Sequence, residues 1–134
     1  NPVIAMLSFS NFGSSNHPMA NKVERAVKFL RRSNPDLIVD GPIQSDFALN
    51  KMMLKNKFDD SKLGNQKVNV LVFPNLDAAN ITYKVIKELD GAKSIGPIMM
   101  GMDKPVHVLQ LKASVEEIVN MSAIAVVDAQ SRKD

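Results

Sequence analysis

Short apolar runs alternate with amphipathic segments along this chain. Runs at residues 3–8, 37–40 and 70–73 are brief and mostly apolar, which is typical of strands that are buried on both faces. Two further runs, at residues 95–102 and 106–109, are separated by a turn that contains a proline, and they predict two more strands.

Helical periodicity separates these runs. Between residues 18 and 33, apolar side chains recur every three or four positions from Val23 to Leu30, which predicts a helix with one apolar face. Ser45 is predicted to cap a short helix, and Asn75 to cap a longer helix that ends near residue 89. The polar residues 55–67 predict a surface loop.

The last helix is predicted to begin at a capping box formed by Ser114 and Glu117 and to run to about residue 129. Polar residues barely interrupt its apolar positions, which are Ile118, Val119, Met121, Ala123, Ile124, Ala125, Val126 and Val127. A helix that is apolar all round is buried on several sides. We therefore expect the chain to be part of a longer polypeptide, since it also lacks an initiator Met, and we expect it to self-associate in isolation.

This order of elements predicts an α/β fold, a three-layer sandwich with a mostly parallel sheet. In such sheets, ligands bind at the loops that follow the carboxyl ends of the strands. In this chain, the loops that follow the first three predicted strands are polar and lie at residues 8–15, 40–46 and 75–80.

Composition narrows the classes of function. The chain has 134 residues and no cysteine, which excludes disulfides, thiolate metal sites and cysteine nucleophiles. The net charge of +3 is spread out, and aromatic residues make up only 5%, so we expect no nucleic-acid partner. No apolar run is long enough to span a membrane. We expect a cytoplasmic protein without a metal site in this segment, since His17 and His107 are far apart in sequence.

The first polar loop, residues 8–15, combines small hydroxyl side chains with Gly13 ahead of a helix. Such a loop suits an anion or phosphate, and it also suits an ordinary connection between strand and helix. The second loop carries Asp40 and Asp46, which could divide acid and base roles or could simply form a turn and a helix cap. In the third loop, capping explains Asn75, whereas Asn80 could face a ligand.

The methionine-rich run at 95–102 is typical either of a pliable surface or of core packing. We find no Ser–His–Asp set, or comparable pair of nucleophile and base, and therefore name no catalytic residue.

Several motifs together resemble the phosphotransacetylase family, in the family's own order and over almost the whole chain. They are AMLSFSNFGS (5–14), PDLIVDGPIQSD (35–46), NVLVFPNLDAANITYK (69–84), GPIMMGMDKPVHVL (96–109) and VNMSAIAVVDA (119–129). The family has two α/β lobes with the active cleft between them. The resemblance implies that residues 1–112 form part of the second lobe and that residues 113–134 form a helix returning to the first.

Three segments are more similar to the phosphotransacetylase-like C-terminal domain of NADP-dependent malic enzymes than to the acetyltransferases proper. They are SNFGSS (10–15), FPNLDAANI (73–81) and IVNMSAIAVVD (118–128). Active transacetylases typically carry a Ser-Arg pair and then an Asp, whereas the matching positions here are Gln110, Leu111 and Glu117. Leucine cannot neutralise a phosphate, for which arginine is the fork-shaped donor. Pro42 also stands where a glutamate is common.

The resemblance thus implies a regulatory and oligomerisation domain that binds acetyl-CoA or a related acyl-CoA without turnover. The parent would be an oxaloacetate-decarboxylating malic enzyme that converts malate to pyruvate and CO2 with NADP and Mg²⁺ or Mn²⁺, in a half upstream of this chain. Expected partners are that upstream part, further copies of the chain, and acyl-CoA or acetyl phosphate, but no membrane. The alternatives are an active phosphate acetyltransferase and a purely structural domain. The expected ligand-binding residues are Ser8, Ser10, Asn11, Gly13, Ser14, Asp40, Gln44, Asn75, Asn80, Gly96 and Lys104.

Overall fold

The chain forms two compact units, Asn1–Thr82 and Tyr83–Asp134. The structure is a computed structural model, and it describes residues 1–64 and 66–131. Each unit is described by itself below. The division into residues 1–112 and 113–134 that the resemblance implies stays a prediction.

The first unit is built on a parallel sheet with the strand order β2-β1-β3. These strands are β1 (Val3–Leu7), β2 (Ile38–Ile43) and β3 (Val70–Val72). The helix α1 (Pro18–Ser33) connects β1 to β2 and has the bounds that its periodicity predicts. The α/β fold class with a parallel sheet is confirmed.

Successive side chains of β1 enter two different clusters, because they point to opposite faces of the sheet. Val3, Ala5 and Leu7 belong to one cluster, which also receives side chains from α2 (Ser45–Leu49) and α3 (Lys51–Lys57). Met6 belongs to the other cluster, with Val23 and Val27 of α1. Helices thus cover both faces of the sheet.

The prediction that β2 ends at Asp40 was wrong, since the strand continues to Ile43. Ala5 pairs with Asp40 but Leu7 pairs with Ile43, so β2 carries one extra residue, as in a β-bulge. At this bulge Gly41 has a φ of 142°, and a Cβ there would lie 2.4 Å from the carbonyl oxygen of Met6. Only glycine lets β2 pass this close to β1.

Two predictions for the segment after β2 also need correction. Ser45 is the first residue of α2 rather than its cap, and Asn50 caps α3 by accepting a bond from the Met53 N–H at 3.1 Å. Residues 55–67 are not wholly a surface loop, because α3 extends to Lys57 and Leu63 is fully buried. Leu63 joins the cluster beneath β1, so core packing outweighs the polar character of its neighbours.

The helix α4 (Leu76–Asp90) begins in the first unit, where the Asn75 side chain accepts a bond from the Ala78 N–H at 2.8 Å, as predicted for a cap. In the second unit the segment 91–114 contains no strand among its described residues, so the strands predicted at 95–102 and 106–109 were wrong. An apolar run becomes a strand only where a neighbouring strand bonds to it, and Pro97 and Pro105 each lack a donor.

The helix α5 (Val115–Ser131) begins at the predicted capping box. The Ser114 N–H donates to Oε2 of Glu117 at 2.7 Å, and the Glu117 N–H donates to Oγ of Ser114 at 3.2 Å. Most of its apolar side chains are exposed and Met121 is buried. Among the described residues, none of the helices has both the length and the apolar character needed to span a bilayer.

We predict that Gly41→Ala lowers the free energy of unfolding by about 2–5 kcal/mol, because the added methyl group clashes with the β1 backbone and φ is positive. Gly13→Ala is the matched control, since its φ is also positive but no atom lies within 4 Å of its Cβ position. Gly13→Ala should lower the free energy of unfolding by only about 1–2 kcal/mol. Urea unfolding of both variants tests the prediction, and equal losses would contradict it.

Candidate functional site

The loop between β1 and α1 is fastened to the end of β2. The Phe12 N–H donates to the carbonyl oxygen of Pro42 at 2.8 Å, and the Gln44 N–H donates to Oδ1 of Asn11 at 2.8 Å. The Gln44 side chain adds a bond from Nε2 to the carbonyl oxygen of Phe9 at 2.6 Å. Asn11 and Gln44 therefore hold the loop in place.

The serine hydroxyls of this loop accept hydrogen bonds from backbone N–H groups of the same loop. Oγ of Ser14 accepts a bond from the Asn11 N–H at 3.0 Å, and Oγ of Ser10 accepts one from the Ser15 N–H at 3.1 Å. Oγ of Ser8 accepts from the Ser10 N–H at 3.3 Å. These backbone N–H groups are therefore not available to a ligand. A ligand at this loop would be bound mainly by side chains.

One hydroxyl of the loop keeps a donor for solvent or a ligand. Oγ of Ser10 and Oγ of Ser14 lie 3.0 Å apart, so one of the two hydroxyls donates to the other. Ser10 is buried, at 1% exposure, and its hydroxyl hydrogen needs a partner inside the protein, whereas Ser14 is exposed. Ser10 therefore donates to Ser14, and the Ser14 hydroxyl is left to donate outward.

The Phe12 side chain of this loop belongs to an aromatic cluster that the sequence pattern did not predict. Phe12 has a positive φ of 43°, a conformation that costs free energy in a residue other than glycine. Its ring packs edge-on against Phe58 with centroids 4.9 Å apart, and Phe58 packs in the same way on Phe47 at 5.3 Å. The ammonium of Lys57 lies 5.4 Å from the Phe47 ring. This packing compensates for the unfavourable backbone of Phe12.

The carboxylate of Asp40 is buried, at 4% exposure, and both of its oxygens are bonded within the protein. Oδ1 pairs with the guanidinium of Arg31 and accepts the Gly41 N–H at 2.8 Å. Oδ2 accepts the hydroxyl of Ser61 at 2.9 Å and the N–H of Lys62 at 2.7 Å. Asp40 thus ties together α1, β2 and the segment after α3.

The structure gathers most of the expected ligand residues in the first unit. Those on the first loop lie beside Gln44, because β1 and β2 are parallel neighbours and their carboxyl ends meet at the same edge of the sheet. Asn75 is the cap of α4 and Asn80 is exposed on its second turn, while Lys22 links α1 to this region through the Pro74 carbonyl oxygen at 2.5 Å. Gly96 and Lys104 lie in the second unit. Ligand binding by any of these residues stays a prediction.

The second unit contains a cavity of about 170 Å³ at the start of α5. Lys87, Gly96, Gln110, Lys112 and Glu117 contribute to its wall. Of these, only Gly96 was expected from the sequence to bind a ligand. No short motif signals the two lysines, because one lies on α4 and the other follows a long irregular segment.

Glu117 is held as an anion beside this cavity. The bond from the Ser114 N–H lowers the pKa of the Glu117 carboxyl, and the further bond with the Ser114 side chain and the charge of Lys87 act in the same direction. The Lys87 ammonium lies 3.5 Å from Oε1 of Glu117. A carboxylate with a lowered pKa is a weak base near neutral pH, so this geometry favours a structural role.

His107 has both ring nitrogens shielded from solvent and without a partner among the described residues. Nowhere in the described part of the chain do three His, Cys, Asp or Glu side chains cluster in a way that could hold a metal ion.

Comparison with known proteins identifies the family. The sequence profile of the phosphate acetyl/butaryl transferase family matches residues 1–126. The NADP-dependent malic enzyme of Escherichia coli (strain K12) is 42% identical over 132 residues, which is 98% of this chain and 17% of that enzyme. The phosphate acetyltransferase of Clostridium acetobutylicum is 43% identical over 129 residues, which is 96% of this chain and 38% of that enzyme.

A solved structure agrees with these sequence matches. A phosphotransacetylase from Streptococcus pyogenes superimposes with a TM-score of 0.90 at 39% identity, over 97% of this chain and 39% of that one. The chain belongs to the phosphate acetyl/butaryl transferase family. It spans about a sixth of the length of the malic enzymes it matches and between a quarter and two fifths of the phosphate acetyltransferases.

We predict that Asp40→Asn lowers the free energy of unfolding by about 2–4 kcal/mol, since it leaves Arg31 without its charge partner and removes an acceptor. Asp46→Asn is the control, because Asp46 is exposed and should change stability by less than about 1 kcal/mol. Urea unfolding measures both. An Asp40 variant as stable as the control would show that the network is not a main support of the fold.

Proposed function

We propose that this chain is the regulatory and oligomerisation domain of an NADP-dependent malic enzyme, and that it binds acetyl-CoA or a related acyl-CoA without turnover. The parent enzyme would convert malate to pyruvate and CO2 with NADP and a divalent cation, Mg²⁺ or Mn²⁺, held by residues outside this chain. The similarity to malic enzymes over almost the whole chain supports the proposal, although acetyltransferases are equally similar.

The observation that carries the proposal is the turn at residues 110–113. Gln110 and Leu111 occupy the positions of the Ser-Arg pair that active transacetylases typically carry. The Ala113 N–H donates to the carbonyl oxygen of Gln110 at 2.9 Å, which closes the turn, and the Leu111 side chain at its tip is fully exposed. Neither residue can supply the fork-shaped cation that orients a phosphate for transfer.

Binding nevertheless has support in the first unit. Its loop after β1 is held by Asn11, Gln44 and the Phe12 ring, so its shape does not depend on a ligand. The exposed Ser14 hydroxyl then offers a donor in a fixed position. A preorganised loop lowers the entropic cost of binding.

A role in oligomerisation rests on the second unit. On α5 the apolar side chains of Val119, Val126 and Val127 are more than half exposed. Apolar side chains exposed together on one helix support a role in an interaction with another protein surface. In an oligomer, an acyl-CoA would regulate the enzyme only if its affinity differed between the active and inactive states.

An active phosphate acetyltransferase is the second candidate, because solved phosphotransacetylases share the fold of this chain. If this candidate is right, the intact protein forms acetyl-CoA from acetyl phosphate and coenzyme A. The Ser14→Ala variant then loses that activity. Absence of turnover in a protein that contains both lobes rejects this candidate.

We predict that acetyl-CoA binds the intact protein in calorimetry and changes its rate of malate oxidation. Ser14→Ala should raise the Kd for acetyl-CoA about tenfold, because it removes one hydrogen-bond donor to the ligand. Ser14→Thr keeps the hydroxyl and should leave this Kd unchanged. Ser33→Ala, at the exposed end of α1, is the control. The proposal fails if acetyl-CoA neither binds nor alters malate oxidation.

A further inference from the structure

Ser10 is a buried serine whose side chain bonds to two other residues of the loop at 8–15. It is 1% exposed. Its Oγ accepts the Ser15 N–H at 3.1 Å and lies 3.0 Å from Oγ of Ser14. Within the described part of the chain, the structure gives the Ser10 hydroxyl hydrogen one acceptor, which is Oγ of Ser14. Because a buried O–H group needs an acceptor, Ser10 donates to Ser14.

This bond leaves the Ser14 hydroxyl without a free lone pair. A hydroxyl oxygen has two lone pairs and one hydrogen. At Ser14, one lone pair accepts the Asn11 N–H at 3.0 Å and the other accepts the Ser10 O–H. Ser14 is exposed, so its own hydrogen remains for a ligand. Ser14 therefore donates to a ligand and does not accept from one.

The hydrogen bonds through these serines all run in one direction. The Ser15 N–H donates to Ser10, Ser10 donates to Ser14, and the Ser14 hydroxyl donates outward. Consecutive hydrogen bonds polarise one another, so Ser14 is a stronger donor than a serine on its own. The burial of Ser10 sets this direction, because the reverse order would leave the Ser10 hydrogen without an acceptor inside the protein.

We propose that Ser10 determines the specificity of this loop by making Ser14 a hydrogen-bond donor only. The ligand atom at Ser14 is then an acceptor oxygen, either the carbonyl oxygen of an acyl thioester or an oxygen of a phosphate. A group that only donates, such as an ammonium, would leave its hydrogen unpaired here. The inference rests on the proposed function and extends it by naming the kind of atom that the loop recognises. Ser10 acts through Ser14 and is a positioning residue.

A double-mutant cycle, followed by calorimetry of the intact protein with acetyl-CoA, tests this role. We expect Ser10→Ala to raise the Kd about threefold to tenfold, because Ser14 loses the donor that fixes its orientation. Ser10→Cys fills the same space and keeps a weak donor, so its Kd should be intermediate. In a Ser14→Ala background, Ser10→Ala should leave the Kd unchanged. Losses that simply add would overturn the inference.

Ser61 provides a matched control outside the loop. Its hydroxyl donates to Oδ2 of Asp40 at 2.9 Å, and its Oγ accepts the Leu63 N–H at 3.3 Å. Ser61→Ala thus removes the same two kinds of hydrogen bond as Ser10→Ala. Both variants should be less stable in urea unfolding, but Ser61→Ala should leave the Kd for acetyl-CoA unchanged. An equal rise in Kd for both variants would show that lost stability alone explains the effect of Ser10, and the inference would be wrong.

S-Ethyl-CoA, a thioether that lacks the acyl oxygen, distinguishes the two sources of the acceptor. If Ser14 donates to the acyl carbonyl, Ser14→Ala weakens the binding of acetyl-CoA and leaves that of S-ethyl-CoA unchanged. If Ser14 donates to a phosphate oxygen, Ser14→Ala weakens the binding of both compounds. Either result supports the inference, and unchanged binding of both compounds contradicts it.

Hydrogen–deuterium exchange of the unliganded intact protein tests Ser10 separately from the proposed function. The Asn11 N–H is bonded to Oγ of Ser14, so we expect it to exchange about threefold faster or more in Ser10→Ala and at the unmodified rate in Ser61→Ala. An unchanged rate at Asn11 in Ser10→Ala overturns the inference even if acetyl-CoA binds. Failure of the proposed function is seen instead in the unmodified protein, as absence of acetyl-CoA binding and of any effect on malate oxidation.

Discussion

One buried carboxylate organises the first unit of this protein. Asp40 receives the guanidinium of Arg31, the hydroxyl of Ser61 and two backbone N–H groups, so a single charge joins α1, β2 and the segment after α3. A buried charge is tolerated only when it is paired and fully hydrogen-bonded. Because Asp40 directly precedes the bulge of β2, it also fixes the strand end to which the loop after β1 is bonded.

The two units contribute differently to the proposed function. In the first, the loop of residues 8–15 is held by its own serines and by Asn11, and it presents the Ser14 hydroxyl to solvent. In the second, Leu111 points into solvent and Glu117 serves the cap of α5. Groups suited to recognition are present, whereas the arginine that would align a phosphate is missing. That combination supports the proposal of recognition without turnover.

Local patterns predicted local structure well. The bounds of α1, the cap at Asn75 and the capping box of α5 all follow from residues within a few positions of one another. The failures involve distant partners: Gly41 is required by its approach to Met6, and Leu63 is buried by the sheet. The apolar runs of residues 91–114 have no neighbouring strand within residues 1–64 and 66–131, which the structure describes. The cavity could not be predicted either, since its lysines are brought together only by folding.

We propose that the domain binds an acyl-CoA and leaves it chemically unchanged. Equilibrium dialysis of the intact protein against acetyl-CoA labelled in the acetyl group, in the presence of phosphate, tests it most directly. We expect saturable binding, with the label recovered entirely as acetyl-CoA. Recovery of the label as acetyl phosphate, at a rate proportional to protein concentration, would contradict it.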